Sequence, residues 1–228
     1  LDKPLTRVKE TAQLVKTMLS GAKTDFQGET QTSRGYRQPP LETPPPVFIG
    51  CLRQNMIEMA AEIGDGVVFN LWPKGALPKM IEAVKRGAAK AGKDWQGVEV
   101  VNRAMVLCTD DKEYGRNLFR AAFAPYYATP VYNKFLAWAG YQDAADAITA
   151  GWAEKNREKT ANALTDELIH EIAIIGTEDE IRQRIQEDAD GGVHTHIIAP
   201  LAGNREDVER TFNAFTGDKF QLQQDALV

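Results

Sequence analysis

The stretch IIGTEDEIRQRIQEDADGGVHTHIIAP, residues 174–200, decides the fold class of this chain. Thr177 with Glu180 three residues later predicts a capping box, a reciprocal pair of hydrogen bonds that opens a helix. One apolar face of that helix would be buried, made by Ile181, Ile185 and Ala189. Gly191 and Gly192 would supply a left-handed exit, and the apolar run HIIAP is typical of a strand covered on both faces. The segment therefore predicts the last βα turn of a parallel α/β barrel.

On both sides of this segment, helical and strand patterns alternate along the chain, which is typical of βα units. An amphipathic helix ends at Gly21, and the Pro-rich stretch 28–46 is predicted to be a loop. Residues 111–173 have a helical pattern throughout, interrupted near Pro125 and Pro130, and form a predicted insertion before the last unit. Four apolar runs are predicted strands: Pro46–Leu52, Gly66–Trp72, Val98–Cys108 and His194–Leu201.

The number of strands is the main constraint on the architecture. With 228 residues and 43% hydrophobic content, the chain is expected to form a single domain over residues 1–228. A closed parallel barrel needs eight strands, and the first predicted helix has no strand before it. The sequence therefore predicts a partial barrel of about four βα units that starts in mid-fold.

Composition excludes several classes of function. A formal net charge of −5 argues against a nucleic-acid groove. No run approaches the roughly 20 apolar residues of a membrane span, and the N-terminus lacks the features of a signal peptide, so we expect a soluble, cytoplasmic protein. Cys51 and Cys108 stand alone, without metal-ligand spacing, which fits a reducing compartment and predicts no metal site.

Three segments resemble the bacterial-luciferase-like monooxygenase superfamily, in particular its branch that depends on the deazaflavin coenzyme F420. They are residues 44–70 (PPPVFIGCLRQNMIEMAAEIGDGVVFN), 77–94 (LPKMIEAVKRGAAKAGKD) and the opening stretch. The resemblance implies a TIM (β/α)8 barrel whose first four units lie in an N-terminal stretch that nothing in this chain matches. It also implies that the helical insertion 111–173 is a lid over the active site and part of a dimer contact.

In this superfamily the loop after the fifth strand offers backbone N–H groups to the cofactor phosphate. The resemblance implies that role here for Gly50, Cys51, Leu52, Arg53, Gln54 and Asn55. A strand that leads into a helix N-terminus favours an anion, because unpaired amides and the helix dipole converge there. The family usually has a small residue and then Gly-Pro where this chain has Leu52–Gln54, although Arg53 adds a forked donor. The alternative is that Gly50 and Cys51 are small only to let helix and strand pack.

Three further residues are candidates for the substrate pocket. Asn70 and Trp72 lie at the C-terminal end of a predicted strand, where barrel active sites are built. The alternative is that Asn70 satisfies a loop amide and Trp72 plugs the barrel. Arg103 lies within a strand, where a cation is costly unless it is paired. Toward the barrel centre it would hold a carboxylate, and toward the helices it would pair with an acid.

The sequence predicts no catalytic residue. His194 and His196 begin the last strand, at the end opposite to catalysis, and we interpret them as structural, with His170 a helix-surface or packing residue. The predicted function is an oxidoreductase or monooxygenase that uses F420, or alternatively FMN, on a small organic substrate. The second hypothesis is a shortened, non-catalytic flavin-binding relative or a partial barrel completed by a partner chain. Such a half would require a second copy or a missing N-terminal half, because its strand edges are open.

Overall fold

The computed structural model describes residues 2–223, which divide into two compact units. The first unit comprises residues 2–69 and 80–101, and the second comprises residues 70–79 and 102–223.

The first unit combines helices with two pairs of strands. Strand β3 pairs in parallel with β4, so that Phe48 lies opposite Gly66 and Gly50 opposite Val68. Strands β1 and β2 form an antiparallel hairpin. The elements are α1 (Pro4–Leu19), β1 (Asp25–Gln27), β2 (Thr32–Arg34), β3 (Phe48–Gly50), α2 (Gln54–Ile63), β4 (Gly66–Asn70) and α3 (Leu77–Lys90), of which Asn70 and the first turn of α3 belong to the second unit.

The hairpin corrects the prediction of a plain loop over residues 28–46, because β2 lies inside that range. Its turn is fixed by the buried carboxylate of Glu10, which accepts the N–H groups of Glu29, Thr30 and Gln31 at 2.7, 2.8 and 2.9 Å. The Thr30 hydroxyl donates a further bond of 2.6 Å to Glu10. These bonds, that of the hydroxyl foremost, lower the pKa of Glu10 to about 2. A carboxylate on α1 therefore holds strands whose own side chains show no apolar alternation.

Helices α2 and α3 approach closely where α3 carries Gly87. A β-carbon at Gly87 would lie 2.2 Å from the Glu58 carbonyl oxygen, so only glycine permits this spacing. The largely buried Glu58 carboxylate of α2 accepts from Arg86 Nε at 2.8 Å and Lys90 Nζ at 2.5 Å. These cations, Lys90 foremost, lower the pKa of Glu58 to about 2. Close packing at Gly87 and the ion pairs of Glu58 with Arg86 and Lys90 thus hold α2 and α3 together.

The second unit is mainly helical around three strands. Strands β5 and β6 pair in parallel, with Val106 opposite Ile174, and β7 also pairs with β5. The elements are β5 (Glu99–Cys108, entering from the first unit), α4 (Lys112–Tyr127), α5 (Pro130–Ala139), α6 (Gln142–Ala153), α7 (Arg157–Asn162), α8 (Asp166–Ile172), β6 (Ile174–Gly176), α9 (Glu178–Asp190), β7 (Thr195–Pro200) and α10 (Arg205–Asn213).

The predicted helical pattern over residues 111–173 is present as the helices α4 to α8, and the interpretation of this segment as an insertion within a barrel stays a prediction. Helix α4 runs through Pro125 to Tyr127, and the break falls between it and Pro130, the first residue of α5. The cap of α4 is Asp111, whose side chain accepts from the Tyr114 N–H at 2.9 Å.

The segment 174–200 agrees closely with its prediction, with two corrections. Thr177 and Glu180 form the predicted capping box of α9. Gly192 alone is left-handed, at φ +105°, whereas Gly191 has a φ of −78°. Strand β7 is not covered on both faces as predicted, since Ile197 is 49% exposed. Among residues 2–223, β5 is the only strand that pairs with β7.

The α/β class is confirmed by the parallel pairs and their helical connections. The predicted strand Pro46–Leu52 is observed as the shorter strand β3, Phe48–Gly50. The strand Ile174–Gly176 was not predicted, because a run of three residues is too short for the apolar pattern to reveal. Within residues 2–223 the strand pairings do not close a barrel. The single-domain assignment and the C-terminal half of a barrel stay predictions.

Candidate functional site

The predicted cofactor loop is the connection from β3 to α2 in the first unit. Arg53 is the cap residue of α2 and makes no side-chain cap hydrogen bond, and the first helical turn carries no acid. Within the described part of the chain, the N–H groups of residues 52–55 donate no hydrogen bond, whereas Met56 N–H already bonds the Arg53 carbonyl at 2.9 Å. Four adjacent free donors at a helix N-terminus form the kind of cradle that binds an anion.

The space around this cradle suits a phosphate. Gly50 is exposed, and a β-carbon built there would have no atom within 4 Å, so an approaching group meets no side chain. The side chains of Arg53, Gln54 and Asn55 are also exposed, and Arg53 has no acidic partner among residues 2–223. Leu52 is half-buried. The residues present therefore fit a phosphate group, with Arg53 as an additional cationic donor.

Cys51 has a structural role in the same loop. Its N–H donates to the Val68 carbonyl at 3.1 Å, which extends the β3–β4 pairing by one residue. The side chain is buried, and this burial raises the pKa of the thiol well above its usual range. For Cys51 the structure therefore favours the alternative in which a small residue lets helix and strand pack.

The second unit brings two predicted pocket residues together. Arg103 Nη1 donates to Asn70 Oδ1 at 3.3 Å, although the residues are 33 positions apart. Asn70 Nδ2 in turn donates to the hydroxyl of Tyr132 at 3.1 Å. Arg103 also contacts the Met105 sulfur at 3.2 Å and pairs with no acid in the described chain. The amide of Asn70 thus links a cation on β5 to a tyrosine on α5.

Arg103 lies on a defined face of β5. The residues of the same face, Met105 and Leu107, pack in a core with aromatic side chains of the insertion. The opposite face carries Ala104 and Val106, which pack on α9. Arg103 therefore shares the face of β5 that packs on helices α4 to α8, not the face that packs on α9, and among residues 2–223 it forms no ion pair with an acid there. Its role in a pocket stays a prediction.

Sequence reasoning missed the turn that follows Asn70. Leu71 has a φ of +52°, a left-handed conformation that is unusual for a branched residue and marks local strain. Leu71 is buried, so the strain is held by packing. No local sequence signal identifies this turn, since glycine or asparagine is the usual residue there.

Trp72 has a structural place. It is buried, and its Nε1 donates to Asn102 Oδ1 at 3.0 Å. Asn102 Nδ2 reaches Asp188 Oδ2 at 3.3 Å, and Arg184 Nε donates to the other oxygen at 3.0 Å. Burial raises the pKa of Asp188 although Arg184 opposes this effect. The predicted pocket role of Trp72 is thus less well supported than the alternative in which it plugs the strand end.

The histidines are consistent with the structural interpretation. Both ring nitrogens of His196 are buried without a hydrogen-bond partner among residues 2–223, and burial lowers its pKa to about 4. His194 precedes β7, which begins at Thr195, one residue later than predicted. His170 is exposed on α8. In the described residues no group of histidine, cysteine or acidic side chains is arranged to hold a metal ion.

Each unit also has a larger hollow. A groove of about 440 Å³ in the first unit lies between α1 and α2 and includes Asn55, but its charged side chains are mostly paired with one another. A cleft of about 870 Å³ in the second unit is lined by residues of α4, α6 and α8 and of the turns before α6 and α8. It contains none of the predicted site residues. Across residues 2–223, no helix has the length and apolar character needed to cross a bilayer.

Comparison with known proteins identifies relatives over most of the chain. The family model for luciferase-like monooxygenases matches residues 1–195. A 5,10-methylenetetrahydromethanopterin reductase of Archaeoglobus fulgidus is 28% identical over 206 residues, which are 87% of this chain and 60% of the reductase. The chain thus spans less than two thirds of the length of this relative.

Solved structures show the same fold. The coenzyme F420 dependent tetrahydromethanopterin reductase of Methanopyrus kandleri superimposes with a TM-score of 0.73 at 18% identity, covering 91% of this chain and 61% of that one. A riboflavin lyase solved with modified FMN and riboflavin superimposes with a TM-score of 0.64 at 13% identity, covering 97% and 59%. Proteins with this fold therefore include both deazaflavin and flavin enzymes.

Proposed function

The chain belongs to the luciferase-like monooxygenase family, and from this premise we propose that it is an oxidoreductase that uses coenzyme F420, with FMN as the alternative cofactor. The substrate is a small organic molecule. Two relatives are methylenetetrahydromethanopterin reductases, and the Methanopyrus kandleri tetrahydromethanopterin reductase with the same fold is described as coenzyme F420 dependent. These similarities favour the deazaflavin over the flavin.

The observation that carries this proposal is the free N-terminus of α2. The N–H groups of residues 52–55 have no acceptor in the described chain, Gly50 leaves open space, and Arg53 has no acidic partner. Both F420 and FMN carry a phosphate that would accept these bonds. The dipole of a ten-residue helix and the Arg53 charge both favour the anion there.

The redox chemistry belongs to the cofactor, which carries a hydride in F420 and also reacts with oxygen in FMN. The protein's contribution is to bind and orient. In the first unit the 50–55 loop would hold the phosphate, and in the second unit Asn70 and Arg103 would contact substrate. No residue of the chain is proposed as a general acid or base, because Cys51, Cys108 and His196 are buried groups held in their neutral forms.

A second candidate function is favoured by one observation on β7. Ile197 is 49% exposed on a strand that pairs only with β5 within residues 2–223. An exposed branched side chain beside an open strand edge is a surface that proteins normally cover. A partial (β/α)8 barrel completed by a further chain, either a second copy or a separate N-terminal half, would cover it and would bind flavin without catalysis of its own.

Fluorescence titration of the purified chain with F420, and separately with FMN, tests the main proposal. We expect saturable F420 binding that FMN does not displace. Failure of both cofactors to bind would contradict the enzyme proposal for this chain. Light scattering after size exclusion tests the second candidate, which predicts a mass above the 25.3 kDa of one chain, and a compact monomer would contradict it.

A further inference from the structure

Arg103 stands out in the second unit as a cation without a counter-charge. It lies in the middle of β5, and its side chain is exposed although Asn102, Ala104 and Met105 beside it are all buried. Its hydrogen-bond partners are the neutral Asn70 amide and the Met105 sulfur. Because the side chain is exposed, its charge is solvated and needs no acidic partner, so the guanidinium is available to bind an anionic ligand.

The guanidinium is held in place but not saturated. Only Nη1 is used in the contacts with Asn70 and Met105, and Nε and Nη2 make no hydrogen bond within the described residues. The Asn70 amide cannot turn freely, because its nitrogen is bonded to the Tyr132 hydroxyl. Arg103 thus keeps two adjacent donors, Nε and Nη2, on an exposed side chain, and such a pair can bind both oxygens of a carboxylate.

Tyr132 adds a third donor and an aromatic surface. Its hydroxyl oxygen accepts from Asn70, which leaves the hydroxyl proton free to bind an anion. The ring packs edge-on against Tyr126 at 5.9 Å and Tyr127 at 5.8 Å between centroids. Tyr126 is 51% exposed, so part of an aromatic side chain next to Tyr132 is accessible to a ligand.

We propose that Arg103, Asn70 and Tyr132 form a carboxylate-recognition site, and that the substrate is an organic acid with a flat or aromatic body that packs on Tyr126. This inference rests on the proposed function, because it specifies the class of substrate on which the oxidoreductase acts. Arg103 binds the carboxylate directly, Tyr132 donates a supporting bond, and Asn70 is a positioning residue that aligns both.

Binding of benzoate as the probe tests this site without cofactor, by saturation-transfer difference NMR titration of the whole chain. We expect saturable binding to the wild type, no binding of benzamide, and at least about tenfold weaker benzoate binding to Arg103→Gln and about threefold to tenfold weaker binding to Tyr132→Phe. The control is Arg157→Gln, which removes an equally exposed arginine from α7. Equal binding of benzamide, no effect of Arg103→Gln, or no benzoate binding would each overturn the proposal.

The same variants separate this inference from the cofactor assignment. F420 binding to Arg103→Gln should match that of the wild type within a factor of two, since Arg103 is proposed to bind the substrate and the 50–55 loop to bind the cofactor phosphate. If Arg103→Gln loses F420 binding and keeps benzoate binding, Arg103 serves the cofactor and the substrate assignment is wrong. Benzoate binding in a chain that binds neither F420 nor FMN would support the carboxylate site and contradict the proposed function alone.

Discussion

The hydroxyl of Tyr127 donates a hydrogen bond of 2.8 Å to the backbone carbonyl of Leu71, the residue held at φ +52°. Tyr127 is fully buried and belongs to the helical insertion, whereas Leu71 follows directly after Asn70 at the end of β4. Burial raises the pKa of the Tyr127 hydroxyl well above its usual range, so it remains a donor throughout the physiological range. The insertion thus fixes the strained turn that sets the position of Asn70.

Replacing Tyr127 with phenylalanine should lower the free energy of unfolding by about 1–3 kcal/mol, because the Leu71 carbonyl loses its partner in a buried place. The matched control is Tyr126→Phe, since Tyr126 is 51% exposed and its change should stay within about 0.5 kcal/mol. Urea denaturation followed by circular dichroism measures both. A Tyr127→Phe variant as stable as the control would show that packing alone holds the turn.

The buried pair Arg184–Asp188 should be far more sensitive than a surface pair. Asp188→Ala leaves the guanidinium of Arg184 buried without its acid and should cost about 3–5 kcal/mol. Glu209→Ala breaks the exposed pair with Arg205 and should cost less than about 1 kcal/mol. Thermal and urea unfolding of the two variants distinguishes them. Similar losses would mean that water reaches Asp188 in solution.

Stability should decline in mild acid because of His196. Its pKa is lowered to about 4 by burial, below the 6.5 of an unperturbed histidine, so the unfolded chain binds a proton first as the pH falls. The free energy of unfolding should therefore fall between pH 6.5 and about 4, by about 2–3 kcal/mol in all. Below pH 4.5 the two carboxylates with a pKa of about 2, Glu10 and Glu58, should add a further loss.

The variant His196→Leu isolates this histidine. It should remove the decline between pH 6.5 and 4 and leave the loss below pH 4.5 in place. Denaturant midpoints recorded at half-unit pH intervals compare it with the wild type. An unchanged profile above pH 4.5 would mean that another group titrates in that range.

Arg53 should matter for phosphate binding and not for stability. It is exposed and has no acidic partner in residues 2–223, so Arg53→Ala should leave the unfolding midpoint unchanged and weaken F420 binding about tenfold to a hundredfold. Arg37→Ala removes an exposed arginine of the same unit and should change neither. If Arg53→Ala and Arg37→Ala bind F420 equally well, the backbone amides alone hold the phosphate.

Local features were predictable where a short segment contains the whole interaction. Thr177 and Glu180 are three residues apart, so their capping box could be recognised from sequence and is present in the structure. The β1–β2 hairpin could not, because its turn is held by Glu10, 19 to 21 residues earlier, and its strands lack apolar alternation. The exposure of Ile197 was equally unpredictable, since the composition of a strand does not show which faces are covered.

The α/β class and the helical pattern of residues 111–173 could be predicted from the sequence, because periodicity and caps are properties of neighbouring residues. The choice of the 50–55 loop came from the family resemblance. The contacts of Arg103 are visible only in the tertiary structure. Asn70 precedes Arg103 by 33 residues and Tyr132 by 62 residues in the chain. A strand's alternation places Arg103 on one of two faces, and the packing of distant segments then determines whether an acid, an amide or a ligand meets its charge.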